Sequence, residues 1–329
     1  MVLPLPKGIY PPLPAFSDSN EDLNLKSFQA HVKRTVLAGT ILVVAGSAGE
    51  AAHLTHAERM SIIKAARAAL DSVHLFCVTI IADSGARSTR ESISLAKEVS
   101  EAGTDFVMAI FLGFYSSILS ADREAVKSFF VDITEASLMP LVVYNFSSVS
   151  GGIHLVSEMI IDIIKASPNV AGAKLTCATE GKITRITATV DDSKFQARYP
   201  RKWNVEQEWR FFQVSDGYID ILTPSIASGA AGAISGLPNF TLLASSFPTP
   251  GSEKYMESRR LQDLVAQMDG YAQRMGFAGT KLILHHLFGY GEALGRPLMQ
   301  APEEQRRCIL GNEWYIKIMT QERRLENEI

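Results

Sequence analysis

Short apolar runs rich in β-branched residues recur along the chain, separated by stretches with apolar residues at three- and four-residue spacing. The runs are Gly8–Tyr10, Thr40–Val44, Leu75–Ile81, Asp105–Ile110, Leu141–Tyr144, Val170–Ala173, Arg210–Val214 and Ala231–Ser235, and they predict eight strands. The stretches Ala57–Leu70, Thr89–Ala102, Asp122–Ser137 and Val156–Ala166 predict helices. Two of these carry start signals: Thr55 precedes Glu58 at capping-box spacing, and Ser88 precedes Glu91 in the same way. Strand–helix alternation implies parallel strands joined by crossovers. Eight such units over roughly 240 residues are what a (β/α)8 TIM barrel requires. A doubly wound open sheet is the alternative, because strand number alone does not show closure. No GxGxxG or GxxxxGK[ST] phosphate loop occurs, which weakens the nucleotide-binding form of that alternative. After Ser252 the pattern is helical only, over Glu253–Met275, Thr280–Phe288 and Pro302 to about Glu326. The expected division is a barrel over 1–250 and a C-terminal helical extension over 251–329. The polar stretch Asp191–Glu208 is long for a connection, as functional or mobile loops are.

Composition narrows the classes. A chain of 329 residues, 47% hydrophobic, is long enough for one large α/β domain with an appendage. A formal net charge of -3 with no long basic run argues against nucleic acid as a partner. Cys77, Cys177 and Cys308 are far apart and show no metal-ligand spacing, which fits a reducing compartment rather than a disulfide framework. Met1–Gly8 lacks a basic region followed by an apolar core, so no secretory signal is expected. Every apolar run is shorter than the ~18–20 residues of a membrane span. The expectation is a cytoplasmic protein that uses neither membrane nor metal.

In a parallel barrel the active site lies at the C-terminal ends of the strands. The pattern puts there Gly46-Ser47-Ala48-Gly49-Glu50, Tyr115, Tyr144, Lys174, Ser215-Asp216 and Ser235-Gly236. No carboxylate pair, HxxH set or Ser-His-Asp arrangement is among them. One lysine stands out, at the end of the apolar run Val170–Ala173. A lysine desolvated in an apolar site exposes a neutral amine that attacks ketones and forms an iminium, an electron sink for making or breaking an adjacent C–C bond. Such chemistry needs a proton shuttle, for which the Tyr144 phenol is a candidate. It also needs a carboxylate anchor, which Gly46–Gly49 can supply through backbone N–H groups and the Ser47 hydroxyl. Each residue has a plainer reading too. Lys174 could snorkel to solvent, Tyr144 could be a core aromatic, and Gly46–Gly49 could be an ordinary turn. Glu50 could favour a helix N-terminus, and His53 and His56 read as helix-start residues. His285 and His286 are adjacent on a helix and face different directions, which disfavours a shared metal.

Taken together, Gly46-Ser-Ala-Gly-Glu-Ala-Ala-His-Leu54, Tyr144-Asn145 and Gly172-Ala-Lys174 resemble the motifs of the dihydrodipicolinate synthase / N-acetylneuraminate lyase family of pyruvate-handling class I aldolases. The resemblance runs from about Gly8 to Leu298. Lys174-Leu-Thr-Cys177, Glu180–Arg185, Ala51–Arg59 and Phe288–Leu298 are similar to the fungal 2-keto-3-deoxy sugar acid aldolases within that family. The resemblance implies Lys174 as the Schiff-base residue, Tyr144 as proton shuttle and Ser47 as carboxylate contact and relay. Tyr115 matches the tyrosine that a neighbouring subunit lends, so a homo-oligomer, dimer or tetramer, is implied. Gly46, Ser47, Ala48, Gly49, Ser235 and Gly236 would bind a 2-oxo acid of the pyruvate type, with an aldehyde as the other reactant and no cofactor.

Departures from the family pattern bear on the substrate. The synthases carry Y-N-x-P-x-R, whereas Ser147 and Val149 stand here at the proline and arginine positions, which counts against lysine biosynthesis. Ala48 replaces a Thr or Asn, and Phe114 lies in an altered loop before Tyr115. The default expectation is cleavage of a 2-oxo-3-deoxy-4-hydroxy acid to pyruvate and an aldehyde. A condensing or dehydrating enzyme of the same family is the second reading, and an inactive barrel that serves as a binding protein the third.

Overall fold

The structure, a computed structural model, describes residues 5–202, 212–243, 245 and 255–328, with the backbone only for 255–258. Among these residues strands and helices alternate: β1 (Gly8–Tyr10), α1 (Leu25–Leu37), β2 (Leu42–Val44), α2 (His56–Asp71), β3 (Ile80–Asp83), α3 (Thr89–Glu101), β4 (Phe106–Ile110), α4 (Ser116–Leu119) and α5 (Arg123–Ala136). The series continues with β5 (Leu141–Asn145), α6 (Ser157–Ala166), β6 (Val170–Leu175), α7 (Glu180–Val190), α8 (Ser193–Arg198), β7 (Gln213–Asp216), α9 (Leu222–Ala227) and β8 (Gly232–Ile234). Helices α10 (Tyr255–Phe288), α11 (Glu303–Leu310) and α12 (Glu313–Glu326) complete the chain.

The strands form one sheet in the order β1-β8-β7-β6-β5-β4-β3-β2. Its free edges meet: Ile41 N–H donates to Ile9 O (3.1 Å), Leu13 N–H to Val43 O (2.8 Å), and Pro12 bridges Val43 in parallel. The fold is therefore a (β/α)8 barrel with C-terminal helices, and the open-sheet alternative, which would leave two edges unpaired, is set aside. Every residue of β2 to β8 is buried, as expected for parallel strands covered on both faces.

By internal packing the chain divides into two units. The first is Met1–Gly8, Thr79–Gly217 and Pro224–Ala233; the second is Ile9–Val78, Tyr218–Thr223 and Ile234–Ile329. The first holds the ladder from β3 to β7. The second holds β2, α1, α2 and the C-terminal helices. Helix starts follow the sequence signals: Thr55 and Glu58 form a full capping box, and the Ser88 side chain accepts from Glu91 N–H (3.2 Å).

Some boundaries differ from the pattern. The third strand is Ile80–Asp83 rather than Leu75–Ile81, because Leu75 N–H bonds back to Leu70 O (3.0 Å) and Val78 N–H to Leu75 O (3.3 Å), turning that apolar run into a helix exit. The seventh strand is Gln213–Asp216, later than Arg210–Val214; positions 210 and 211 lie outside the described residues. The stretch 191–202 contains α8, while 203–208 lie outside the described residues. Positions 253 and 254 of the expected Glu253–Met275 helix also lie outside them. Gly276 (φ 60°, ψ -159°) breaks α10 where the two expected helices part, a backbone position that favours glycine. The expected single helix from Pro302 to Glu326 divides instead: Gly311 ends α11 and the Asn312 side chain caps α12 by accepting from Trp314 N–H (2.9 Å). No helix among the described residues is long and apolar enough to cross a membrane.

In the second unit a fully buried histidine joins α1 to the turn that holds Asn239. His31 packs against the rings of Phe16 and Tyr290. Its Nε2–H donates to Asn239 Oδ1 (2.9 Å), and Arg34 Nη2 donates to Nδ1 (3.2 Å). Protonation would turn that acceptor nitrogen into a donor facing an arginine. Burial first, and Arg34 second, lower the His31 pKa to about 3. Between about 6.5 and 3 the unfolded chain binds a proton here that the folded chain refuses. Stability from this site is complete above the unfolded value and lost as pH falls through that window. Urea unfolding of the wild type should therefore lose as much as ~4 kcal/mol more than His31→Gln across the window. Parallel losses in the two proteins would contradict the assignment.

Candidate active site

The first unit brings Lys174 and Tyr144 together. Lys174 lies inside β6, not at its end as the apolar run suggested, because the ladder continues through Leu175. The register pairs Ile110 with Tyr144, Tyr144 with Lys174, Lys174 with Ser215, and Ser215 with Gly232. Parallel strands in register point paired side chains to the same face, so Tyr144, Lys174 and Ser215 form one row. Ser215 and Asp216 belong to β7 itself, where the pattern had them following the strand.

Lys174 is 5% and Tyr144 3% exposed. The lysine Nζ lies over the tyrosine ring, 4.0 Å from its centroid. Among the described residues no carboxylate pairs with Lys174. An amine is thus held out of water without a counter-charge and against a π-face, which excludes the snorkelling alternative. Tyr144 stacks in turn on Phe146, 6.1 Å between centroids.

Just beyond this row, Asn145 O accepts from Thr176 N–H (2.9 Å), and Asn145 Oδ1 accepts from Leu155 N–H (2.9 Å). This buried amide fastens the loop after β5. Thr176, two residues beyond Lys174, carries a buried hydroxyl with no hydrogen-bond partner among the described residues. A buried polar atom left unpaired is costly and marks a place where a ligand group can bind. The sequence reading did not single out Thr176, although a residue at i+2 shares the face of Lys174 in a strand.

The segment Glu180–Arg185 opens α7, and its lysine is structural. Lys182 is 2% exposed, donates to Leu155 O (2.6 Å) and meets His154 Nε2 at 2.7 Å. Burial lowers its pKa, opposed by a hydrogen bond to the Cys177 side chain. Tyr115 is on the surface of the chain, 59% exposed, with its ring edge-on to Phe114 at 5.0 Å. Among the described residues no contact brings it to Lys174.

The second unit carries the other predicted residues. Ser47–Gly49 forms a tight turn directly after β2, with Gly46 buried and Ser47 and Ala48 half-buried. Gly49 N–H and Ala51 N–H both bond to Gly46 O, while the N–H groups of Ser47 and Ala48 have no acceptor among the described residues. Glu50 does not start a long helix, as its plainer reading held. It is buried, sits at φ 53°, and is ion-paired with Lys281. His53 ends the following turn and His56 is the first residue of α2. Ser235 is buried directly after β8, and Gly236 begins the turn over Leu237–Asn239.

Comparison with known proteins adds the following. The sequence model of the dihydrodipicolinate synthetase family matches residues 5–196. The protein named "Probable 4-hydroxy-2-oxoglutarate aldolase, mitochondrial" in Emericella nidulans is 33% identical over 328 residues, 99% of each chain. The L-threo-3-deoxy-hexylosonate aldolase of Aspergillus niger is 31% identical, covering 93% of each chain. A crystal structure of a dihydrodipicolinate synthase family protein from Coccidioides immitis superposes with a TM-score of 0.79 at 28% identity, over 99% of this chain and all of that one.

Proposed function

Since the chain belongs to the dihydrodipicolinate synthetase family, we propose that it is a Schiff-base carbon–carbon lyase acting on 2-oxo-3-deoxy-4-hydroxy acids. The observation that carries the proposal is the Lys174 amine, buried beside the Tyr144 ring with no counter-charge among the described residues. In its neutral form the amine adds to the C2 carbonyl and expels water, leaving a protonated imine. Loss of the proton from the C4 hydroxyl then breaks the C3–C4 bond. Its electron pair moves into the iminium to give an enamine, and the aldehyde departs. Protonation at C3 and hydrolysis of the imine release pyruvate and restore Lys174. Tyr144 serves as the proton shuttle. The Ser47 hydroxyl and the N–H groups of the Gly46–Gly49 turn hold the carboxylate, with Ser235 and Gly236 as further contacts. Thr176 offers its hydroxyl to a hydroxyl of the substrate.

Relatives named for 4-hydroxy-2-oxoglutarate and for L-threo-3-deoxy-hexylosonate support the substrate class. They also favour cleavage over condensation or dehydration. The three free cysteines suit a reducing compartment; the cytosol and the mitochondrial matrix both qualify, and the Emericella nidulans relative carries "mitochondrial" in its name. The surface residues Phe114 (75% exposed), Tyr115 (59%) and Ile118 (69%) form an apolar patch that a second copy of the chain would cover, bringing Tyr115 to a neighbouring site.

Three outcomes follow. Borohydride with pyruvate should fix a three-carbon adduct on Lys174 in the wild type and none in Lys174→Met, while Tyr144→Phe should cut kcat by about 10²-fold or more; an unlabelled wild type rejects the mechanism. Thr176→Val should lower kcat/KM for 4-hydroxy-2-oxo acids by about 10- to 100-fold with pyruvate trapping unchanged, as loss of one hydrogen bond predicts; equal loss of both reactions would contradict its role. Sedimentation should show a dimer or tetramer that Ile118→Glu dissociates; a wild-type monomer would rule out the shared tyrosine.

A further inference from the structure

Glu50 and Lys281 are oppositely charged and both out of water, their side chains 4% and 1% exposed. A buried pair of this kind is weak support for stability by itself, since two apolar groups would serve as well. Its geometry indicates another use. Lys281, on α10, is ion-paired with Glu50 and also donates to Ala293 O (2.5 Å). The second carboxylate oxygen of Glu50 accepts from Gly295 N–H (2.7 Å). One lysine and one carboxylate therefore tie α10 and the run Ala293–Gly295 that follows it to the turn after β2, more than two hundred residues earlier in the chain. Burial lowers the Lys281 pKa, and the Glu50 charge opposes that effect.

The same glutamate sets the turn. Its backbone takes the left-handed conformation (φ 53°, ψ 34°), which residues with a Cβ rarely adopt and which surrounding contacts must hold in place. Its N–H closes the turn on Ser47 O (3.1 Å), and its carbonyl accepts from His53 N–H (2.8 Å). Arg59 of α2 clamps the next residue by donating to Ala51 O (2.7 Å). On the other side a Cβ at Gly49 would lie 3.0 Å from Leu13 O, so the turn has little room to shift. Glu50 therefore holds the turn that presents the Ser47 and Ala48 N–H groups, which have no acceptor among the described residues, and Lys281 holds Glu50.

We infer that Lys281, in the C-terminal helices, is a positioning residue for recognition of the 2-oxo acid carboxylate, acting through Glu50 on the Ser47–Gly49 turn. This rests on the Schiff-base reading of the site given above. In this reading neither residue takes part in the covalent chemistry. Their loss should therefore weaken capture of the carboxylate while leaving bond formation at Lys174 nearly intact, a split that a merely structural pair would not produce.

The test measures the pyruvate concentration that half-saturates borohydride trapping at Lys174, by intact mass, in wild type, Glu50→Gln, Lys281→Met and the double variant. Circular dichroism reports folding. The double variant removes both charges together and so leaves no unpaired buried ion, which keeps the experiment readable if Lys281→Met fails to fold. The half-saturating concentration should rise about tenfold or more, with the limiting rate within about threefold of wild type. Folded variants with the wild-type concentration, or with only the limiting rate reduced, would overturn the assignment. So would loss of fold in all three, which would make the pair structural. A wild type that traps while the variants do not shift rejects this inference alone; a wild type that does not trap rejects the Schiff-base reading with it.

Discussion

The structure depends on one amine, Lys174, that is buried with no acid paired to it among the described residues. A lysine side chain in a strand interior is expensive, and a fold keeps it there only if the register of neighbouring strands supplies something in return. Here the return is Tyr144, directly opposite on β5, whose ring lies under Nζ. The small residues Ala171, Gly172 and Ala173 ahead of Lys174 let β6 sit fully buried between β5 and β7. A slip of one residue in that ladder would turn the lysine to the opposite face.

The first unit holds the buried Lys174 amine and its aromatic partner, along with the Thr176 hydroxyl, which has no partner among the described residues. The second unit holds the Ser47–Gly49 turn, two of whose N–H groups have no acceptor among the described residues, and the buried ion pair beside it. Paired strand residues hold Lys174 and Tyr144 together in the first, and a C-terminal helix braces the turn in the second. A helical extension after a barrel is easily read as packing alone. The Lys281–Glu50 link gives it a part in how the Ser47–Gly49 turn is shaped.

Much of this was legible in the sequence because barrels repeat a simple pattern. Buried parallel strands read as apolar runs, and caps such as Thr55 and Ser88 mark where helices begin. The family match agrees with the motifs around Gly46, Tyr144 and Lys174. What escaped had a physical cause in each case. Leu75–Val78 has strand composition, yet backbone bonds to the preceding helix turn it and leave Phe76 exposed. Lys174 read as a strand end because a charged residue normally stops an apolar run. Thr176 carried a usable signal, the two-residue parity with Lys174, but a threonine after a strand is too common to stand out. The Glu50–Lys281 pair had no local signal, since nothing in either neighbourhood names a partner so distant in the chain. Glu50 looked like a helix-start acid for the same reason.

The central claim is that the Lys174 amine is the covalent attachment point for a 2-oxo acid. A crystal structure of the protein grown with pyruvate tests it most directly. The account predicts continuous density from Lys174 Nζ to C2 of the bound molecule, with the carboxylate on the N–H groups of Ser47 and Ala48. Pyruvate bound elsewhere, or an unmodified Lys174 at saturating pyruvate, would contradict it.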